Sequence, residues 1–163
     1  MHIQHEVIVN CPVEEVWSFM EDLRNYPKWQ SGLVAMQQIS DGPMGTGARI
    51  AAVHQFLGRR LDLVVEVTGY DPGKLFAAQV VSGPVRFRGN WRYAPVDGGT
   101  RISGVIEGDT GGFFKLAEPL VSRAARRQID AYCATLKDLI ESHPLAAPVG
   151  PPRPELFEEA PRS

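Results

Sequence analysis

The order of the periodicities along this chain constrains its fold more than any single motif does. Ile3, Val7 and Val9 alternate with Gln4 and Glu6, the two-residue period of a half-buried strand. The period then changes. Val13, Val16, Trp17 and Met20 fall at i, i+3, i+4 and i+7, which is one face of a helix. Pro12 stands at a tolerated early position, and Glu14 and Glu15 lie near the positive end of that helix. Pro27 interrupts Asn25-Tyr26-Pro27-Lys28-Trp29, so only a short second helix or turn fits between Arg24 and Gln30. A run of strand patterns follows, and one long helix, from about Gly112 to Glu141, closes the series. This order predicts an α+β chain: a curved antiparallel sheet of about seven strands wrapped around a long C-terminal helix, with two short helices after the first strand. Such an arrangement leaves room for a cavity between sheet and helix.

The strand patterns are separated by turn chemistry. Val34 to Ile39 is followed by the glycine-rich stretch from Asp41 to Gly47, then by Ala48 to Leu57 and a tight connection at Gly58-Arg59. Leu61, Leu63, Val65 and Val67 alternate with Asp62, Val64, Glu66 and Thr68. Asp71-Pro72-Gly73-Lys74 reads as a turn, with proline second and glycine third. Phe76, Ala78 and Val80 resume the alternation. The clearest strand carries Val85, Phe87, Gly89, Trp91 and Tyr93 on one face and Arg86, Arg88, Asn90 and Arg92 on the other. Asp97-Gly98-Gly99 then turns the chain into Thr100 to Gly108. In the last helix Phe113, Leu116, Leu120, Ala124, Ile129, Tyr132, Leu136 and Ile140 form an apolar stripe, and Pro119 is expected to kink it or delay its regular start.

Beyond about residue 142 the composition changes. Pro144, Pro148, Pro151, Pro152, Pro154 and Pro161 are six of the chain's 13 prolines, so regular pairing fails and a mobile Pro-rich tail is expected over residues 143–163. Residues 1–142 form the folded domain in this reading. With 17 basic and 19 acidic residues the chain lacks the basic excess of a general nucleic-acid binder. No apolar run approaches the roughly 18 residues of a membrane span, and the N-terminus lacks the features of a signal peptide. Two cysteines, Cys11 and Cys133, make a disulfide framework improbable and favour a reduced, cytoplasmic setting. They are also too few for a zinc site, and no catalytic signature is present, so neither a metal nor a cofactor is expected.

A family resemblance rests on the joint order of several short motifs. These are the Pro-led helix with Val16-Trp17-x-Phe19, then Asn25-Tyr26-Pro27-x-Trp29, Gly45-Thr46-Gly47, Gly89-x-Trp91-x-Tyr93, Gly99-Thr100 and the closing helix. Over residues 2–142 the chain resembles the START-like helix-grip (SRPBCC) superfamily, and within it the polyketide cyclase/dehydrase and lipid-transport group. The resemblance implies a helix-grip fold and an apolar cavity, and it leaves the ligand and any reaction open.

Candidate functional residues follow from strand phase and from this resemblance. Trp29 follows the Pro27 turn, where the family places a loop near the cavity mouth, and serves either to stack on a ligand or as a structural plug. Phe56, Phe76, Phe87 and Trp91 share the inward phase with Leu63 and Val65, and either line a cavity or fill a solid core. Phe113, Leu116 and Leu120 complete the candidate ligand-binding set from the helix side, and Gly108, Gly111 and Gly112 make the preceding junction a candidate hinge. His54 lies in phase with Ile50, Ala52 and Phe56, and either acts as a general base, orients a polar ligand group, or is a core histidine. His5 shares phase with Ile3 and Val7. Arg49, Arg59 and Arg60 are either guanidiniums near the pocket or solvated surface groups. The preferred reading is a monomeric or homodimeric binder or carrier of a hydrophobic small molecule such as a lipid, isoprenoid quinone or aromatic polyketide. A cyclase, aromatase or dehydratase using His54 and a nearby arginine is the second reading, and a regulatory or toxin-like interaction protein the third.

Overall fold

The computed structural model describes residues 1–142; the segment expected to form the Pro-rich tail lies outside the described residues. Seven strands form one antiparallel sheet: β1 (His2–Val9), β2 (Leu33–Gln38), β3 (Arg49–Phe56), β4 (Arg59–Asp71), β5 (Leu75–Ser82), β6 (Arg86–Val96) and β7 (Gly99–Asp109). Their order across the sheet is β1-β7-β6-β5-β4-β3-β2, so every neighbour from β2 to β7 is also a neighbour in sequence. Helices α1 (Val13–Glu21) and α2 (Tyr26–Trp29), separated by a 3-10 turn at Leu23–Asn25, carry the chain from β1 at one edge to β2 at the other. The long helix α3 (Glu118–Ser142) closes the fold.

The sheet is bent where its ladders slip. Register shifts fall between Val64 and Val65 and between Val67 and Gly69 of β4, and between Leu33 and Ala35 of β2. Each extra residue increases the local twist, which lets a long sheet curl around a helix. The backbone of α3 comes closest to β1 and α2. It stands farther from the middle strands, and side chains or open space fill the interval.

Two of the three apolar clusters flank that interval, the third being Ala48, Ile50 and Val67 on the sheet. At one end Trp17, Met20, Tyr26, Trp29 and Tyr93 pack with Tyr132, Leu136 and Ile140 of α3. At the other, Leu61, Val85, Phe114 and Val121 pack with Phe56, Leu63 and Phe87. Polar groups tie the short helices down. Asn25 donates from Nδ2 to the Phe19 carbonyl at 2.9 Å, and the fully buried Thr100 hydroxyl donates to the Cys11 carbonyl at 2.7 Å.

The final helix starts later than its apolar stripe implies, at Glu118 rather than near Gly112. Gly111 and Gly112 take φ values of 58° and 74°, in the left-handed region, which a right-handed helix cannot include. Pro119 then falls in the first turn, where its missing amide costs nothing. The delay shifts the inward phase. Val121, Ala125, Ile129 and Tyr132 point to the sheet, whereas Leu116 and Leu120 are 52% and 53% exposed.

Candidate binding cavity

Between the two flanking clusters lies an open-mouthed cavity of about 300 Å3, lined mainly by β3–β6 and α3, with Ile3 of β1, Ile106 of β7 and Phe114. Alternation along the strands supplies its wall: His54 and Phe56 from β3, Leu61, Leu63 and Val65 from β4, Phe76, Ala78 and Val80 from β5, Phe87, Gly89 and Trp91 from β6. Helix α3 adds Val121, Ala125, Gln128, Ile129 and Tyr132. Space remains because small residues occupy the middle of this wall. Ala78 and Gly89 are cross-strand partners, and Ala125 lies on the helix side. Larger side chains at these three positions would fill the volume with packed atoms, as protein interiors otherwise are.

Most of the wall is apolar; apart from Gln79 and Arg88, its polar side chains gather at one place. The loop at Gln30–Gly32 meets the end of β3, where Leu33 pairs with His54 and the Gln55 amide donates to the Gly32 carbonyl. Two helix side chains converge on this loop: Gln128 donates from Nε2 to the Ser31 carbonyl at 2.8 Å, and the Tyr132 hydroxyl donates to the same oxygen at 2.7 Å. Gln30, His54, Gln128 and Tyr132 all line the cavity there. Burial pushes the Tyr132 hydroxyl up to about 12, so it stays protonated. Burial also holds the His54 imidazole down at about 4, because its charged form loses hydration and gains no carboxylate in return. His54 is thus a neutral imidazole that lines the cavity and has no hydrogen-bond partner among the described residues.

Of the sequence-predicted residues, His54, Phe56, Leu63, Val65, Phe76, Phe87 and Trp91 line the cavity, and Trp29, Phe113, Leu116 and Leu120 do not. Trp29 is 1% exposed and stands behind the wall, edge-on to Trp91 at 5.5 Å and to Tyr132 at 6.1 Å. It braces the lining side chains rather than presenting a face to the space. Phe113 lies one residue out of phase: Phe114 faces inward, while Phe113 packs on Phe114 at 5.2 Å beneath the Arg59 guanidinium at 4.3 Å. Leu116 and Leu120 are turned to solvent by the late helix start. Arg49, Arg59 and Arg60 are not among the lining residues. Arg49 pairs with Glu66, and Arg60 with Asp62 at 3.0 Å. His5 is buried against Trp91 at 4.0 Å, and its Nε2 sits 3.2 Å from the Asn90 carbonyl.

Sequence reasoning missed Gln30, Gln128 and the small-residue centre. The signals were present. Gln128 interrupts the apolar stripe between Ala125 and Ile129, and Ala78 and Gly89 sit among large residues in the inward phase. A wider depression of about 510 Å3 opens on the opposite strand phase around Gln4, Glu6, Asn90 and Arg92. Its lining mixes polar and charged side chains with His5, Gly104 and Val105. Among the described residues no group of three or more histidine, cysteine or acidic side chains is placed to hold a metal ion, and no helix is long and apolar enough to cross a membrane.

A curled seven-stranded antiparallel sheet holding a long C-terminal helix, with a pocket between them, defines the helix-grip class. The family model described as polyketide cyclase/dehydrase and lipid transport matches residues 1–141, and the chain belongs to that family. Solved structures agree on the fold. A START superfamily protein from Mycobacterium smegmatis is 14% identical with a TM-score of 0.72, over 86% of this chain and 97% of that one. The Thermus thermophilus protein TTHA0849 is 17% identical with a TM-score of 0.70, over 85% and 95%. A Streptomyces aromatase/cyclase is 15% identical with a TM-score of 0.65, over 87% and 96%. No curated protein matches the chain.

Proposed function

We propose that this protein binds a hydrophobic small molecule in the cavity between the sheet and α3, as a carrier or receptor. The observation that carries this reading is the cavity itself. About 300 Å3 is kept open by Ala78, Gly89 and Ala125 within a wall of aromatic and aliphatic side chains. Burying an apolar ligand there gains about 25 cal/mol for each Å2 removed from water. Family membership supports the same reading, since its description joins lipid transport to cyclase and dehydratase chemistry.

A cyclase or aromatase reading has one observation in its favour: His54, a neutral imidazole facing the cavity, is able to accept a proton. Binding is preferred because the cavity brings His54 no partner. Among the described residues no carboxylate lines the cavity to orient it, and the lining arginine, Arg88, is paired with Glu107. Native mass spectrometry of protein purified from its own host tests the binding reading. A co-purifying apolar molecule is the expected result. Absence of any adduct, together with no thermal stabilisation by a panel of lipids, quinones and polycyclic phenols, would overturn it.

A further inference from the structure

The polar end of the cavity narrows the class of molecule that fits. Among the described residues His54 offers one donor and one acceptor with no partner, and Gln128, whose Nε2 is held by the Ser31 carbonyl, has its Oε1 left to accept. With Gln30 and Tyr132 these groups form a small polar site in a mostly apolar wall, which Gln79 and Arg88 also reach. Charge is not provided for. Arg88 reaches the wall, but its guanidinium is 75% exposed and held at 2.9 Å by Glu107. The Met1 amino group is engaged by the Gly108 carbonyl and Glu118. A buried carboxylate or phosphate would therefore lose its hydration without a counter-charge, and a buried ammonium would find no carboxylate. Size adds a second restriction, because about 300 Å3 lies at the small end of the roughly 300–1,000 Å3 of ligand pockets. Aromatic edges and faces from Phe56, Phe76, Phe87 and Trp91 suit a flat ring system.

Resting on the binding reading above, the geometry points to a compact, uncharged ring molecule carrying one hydroxyl or carbonyl, with His54 and Gln128 as the residues that read that group. A diacyl lipid or an acidic polyketide does not meet these requirements.

The test compares three probes of one shape at pH 7 by isothermal titration calorimetry: 2-naphthol, 2-methylnaphthalene and 2-naphthoate. The expected order places 2-naphthol about five- to tenfold tighter than 2-methylnaphthalene, the worth of a neutral hydrogen bond. 2-Naphthoate binds weakest. In His54→Leu the ratio between the first two falls to near one. The inference is overturned if 2-naphthoate binds tightest, if wild type does not distinguish the first two, or if His54→Leu keeps the full preference. Should the leucine variant fail to fold, the wild-type ranking alone decides. If none of the three binds while a lipid is retained in native mass spectrometry, this inference fails and the binding reading stands. If neither probes nor lipids bind, both fail.

Discussion

His54 couples the stability of the unliganded protein to pH in a way that can be calculated. Its ordinary value is 6.5, and burial in the cavity wall holds it at about 4 in the folded protein. Above pH 6.5 the ring is neutral in both states and costs nothing. As the pH falls below 6.5 the unfolded chain binds a proton that the folded protein resists, so stability declines toward pH 4 and then levels. Each unit is worth about 1.36 kcal/mol, so about 2 kcal/mol is lost by pH 5.0 and about 3 kcal/mol by pH 4. His5 acts in the same direction, since burial lowers it while its contact with the Asn90 carbonyl partly offsets that. Asp22, Glu107 and Glu141, held below the usual carboxylate range by Arg24, by His2 and Arg88, and by Lys137, lose their contributions at still lower pH. Comparing wild type with His54→Leu removes these common terms. Urea denaturation at pH 7.5 and 5.0 should show wild type losing about 2 kcal/mol more than the variant over that interval. Equal losses would mean that His54 is hydrated or partnered in the folded state, and the account of it as a bare cavity imidazole would be wrong.

Trp29→Ala should cost about 3–5 kcal/mol in urea denaturation, as expected for a buried Trp at the centre of an aromatic cluster. Trp29→Phe should cost clearly less, because it also removes a buried indole N–H that has no partner. Gly104→Ala should lower the melting temperature sharply, since its Cβ would fall on the Asn90 carbonyl and 2.7 Å from His5 Nε2. Gly45→Ala, which meets nothing within 4 Å, should leave it nearly unchanged. Cys11 and Cys133 are both pushed up to about 11, chiefly by burial, so each should react with a disulfide reagent at pH 7.5 far more slowly in the native protein than in urea. Rapid native labelling would contradict their placement.

Strand phase was the most legible part of this chain. Seven of the eleven residues assigned to a ligand site line the cavity, and all seven come from strands, where a period of two leaves little ambiguity about which side chains share a face. The helix side was harder to read. Phe113, Leu116 and Leu120 fit a 3.6-residue stripe on paper, but that stripe runs through Gly111 and Gly112, whose left-handed backbone stops any helix before Glu118. Once the start moves, the face rotates and Phe114 takes the inward place. Trp29 followed the same logic at a turn: α2 aims its ring at Trp91 and Tyr132 rather than at the space. Least legible was the polar end, because it depends on the Ser31 carbonyl drawing Gln128 and Tyr132 to the loop beside His54. That is a contact across about a hundred residues, which local pattern does not encode.

The central claim is that the space between sheet and helix is a binding site, and filling it tests this directly. Titration with the fluorophore N-phenyl-1-naphthylamine, for wild type and Ala78→Phe, is the measurement. Ala78 faces Gly89 in the open middle of the wall, so a phenyl ring there occupies the volume while the outer surface is untouched. The account predicts saturable one-to-one binding to wild type and at least a tenfold weaker affinity in a variant that still melts cooperatively. Equal binding by the folded variant, or no saturable binding by either, would contradict it.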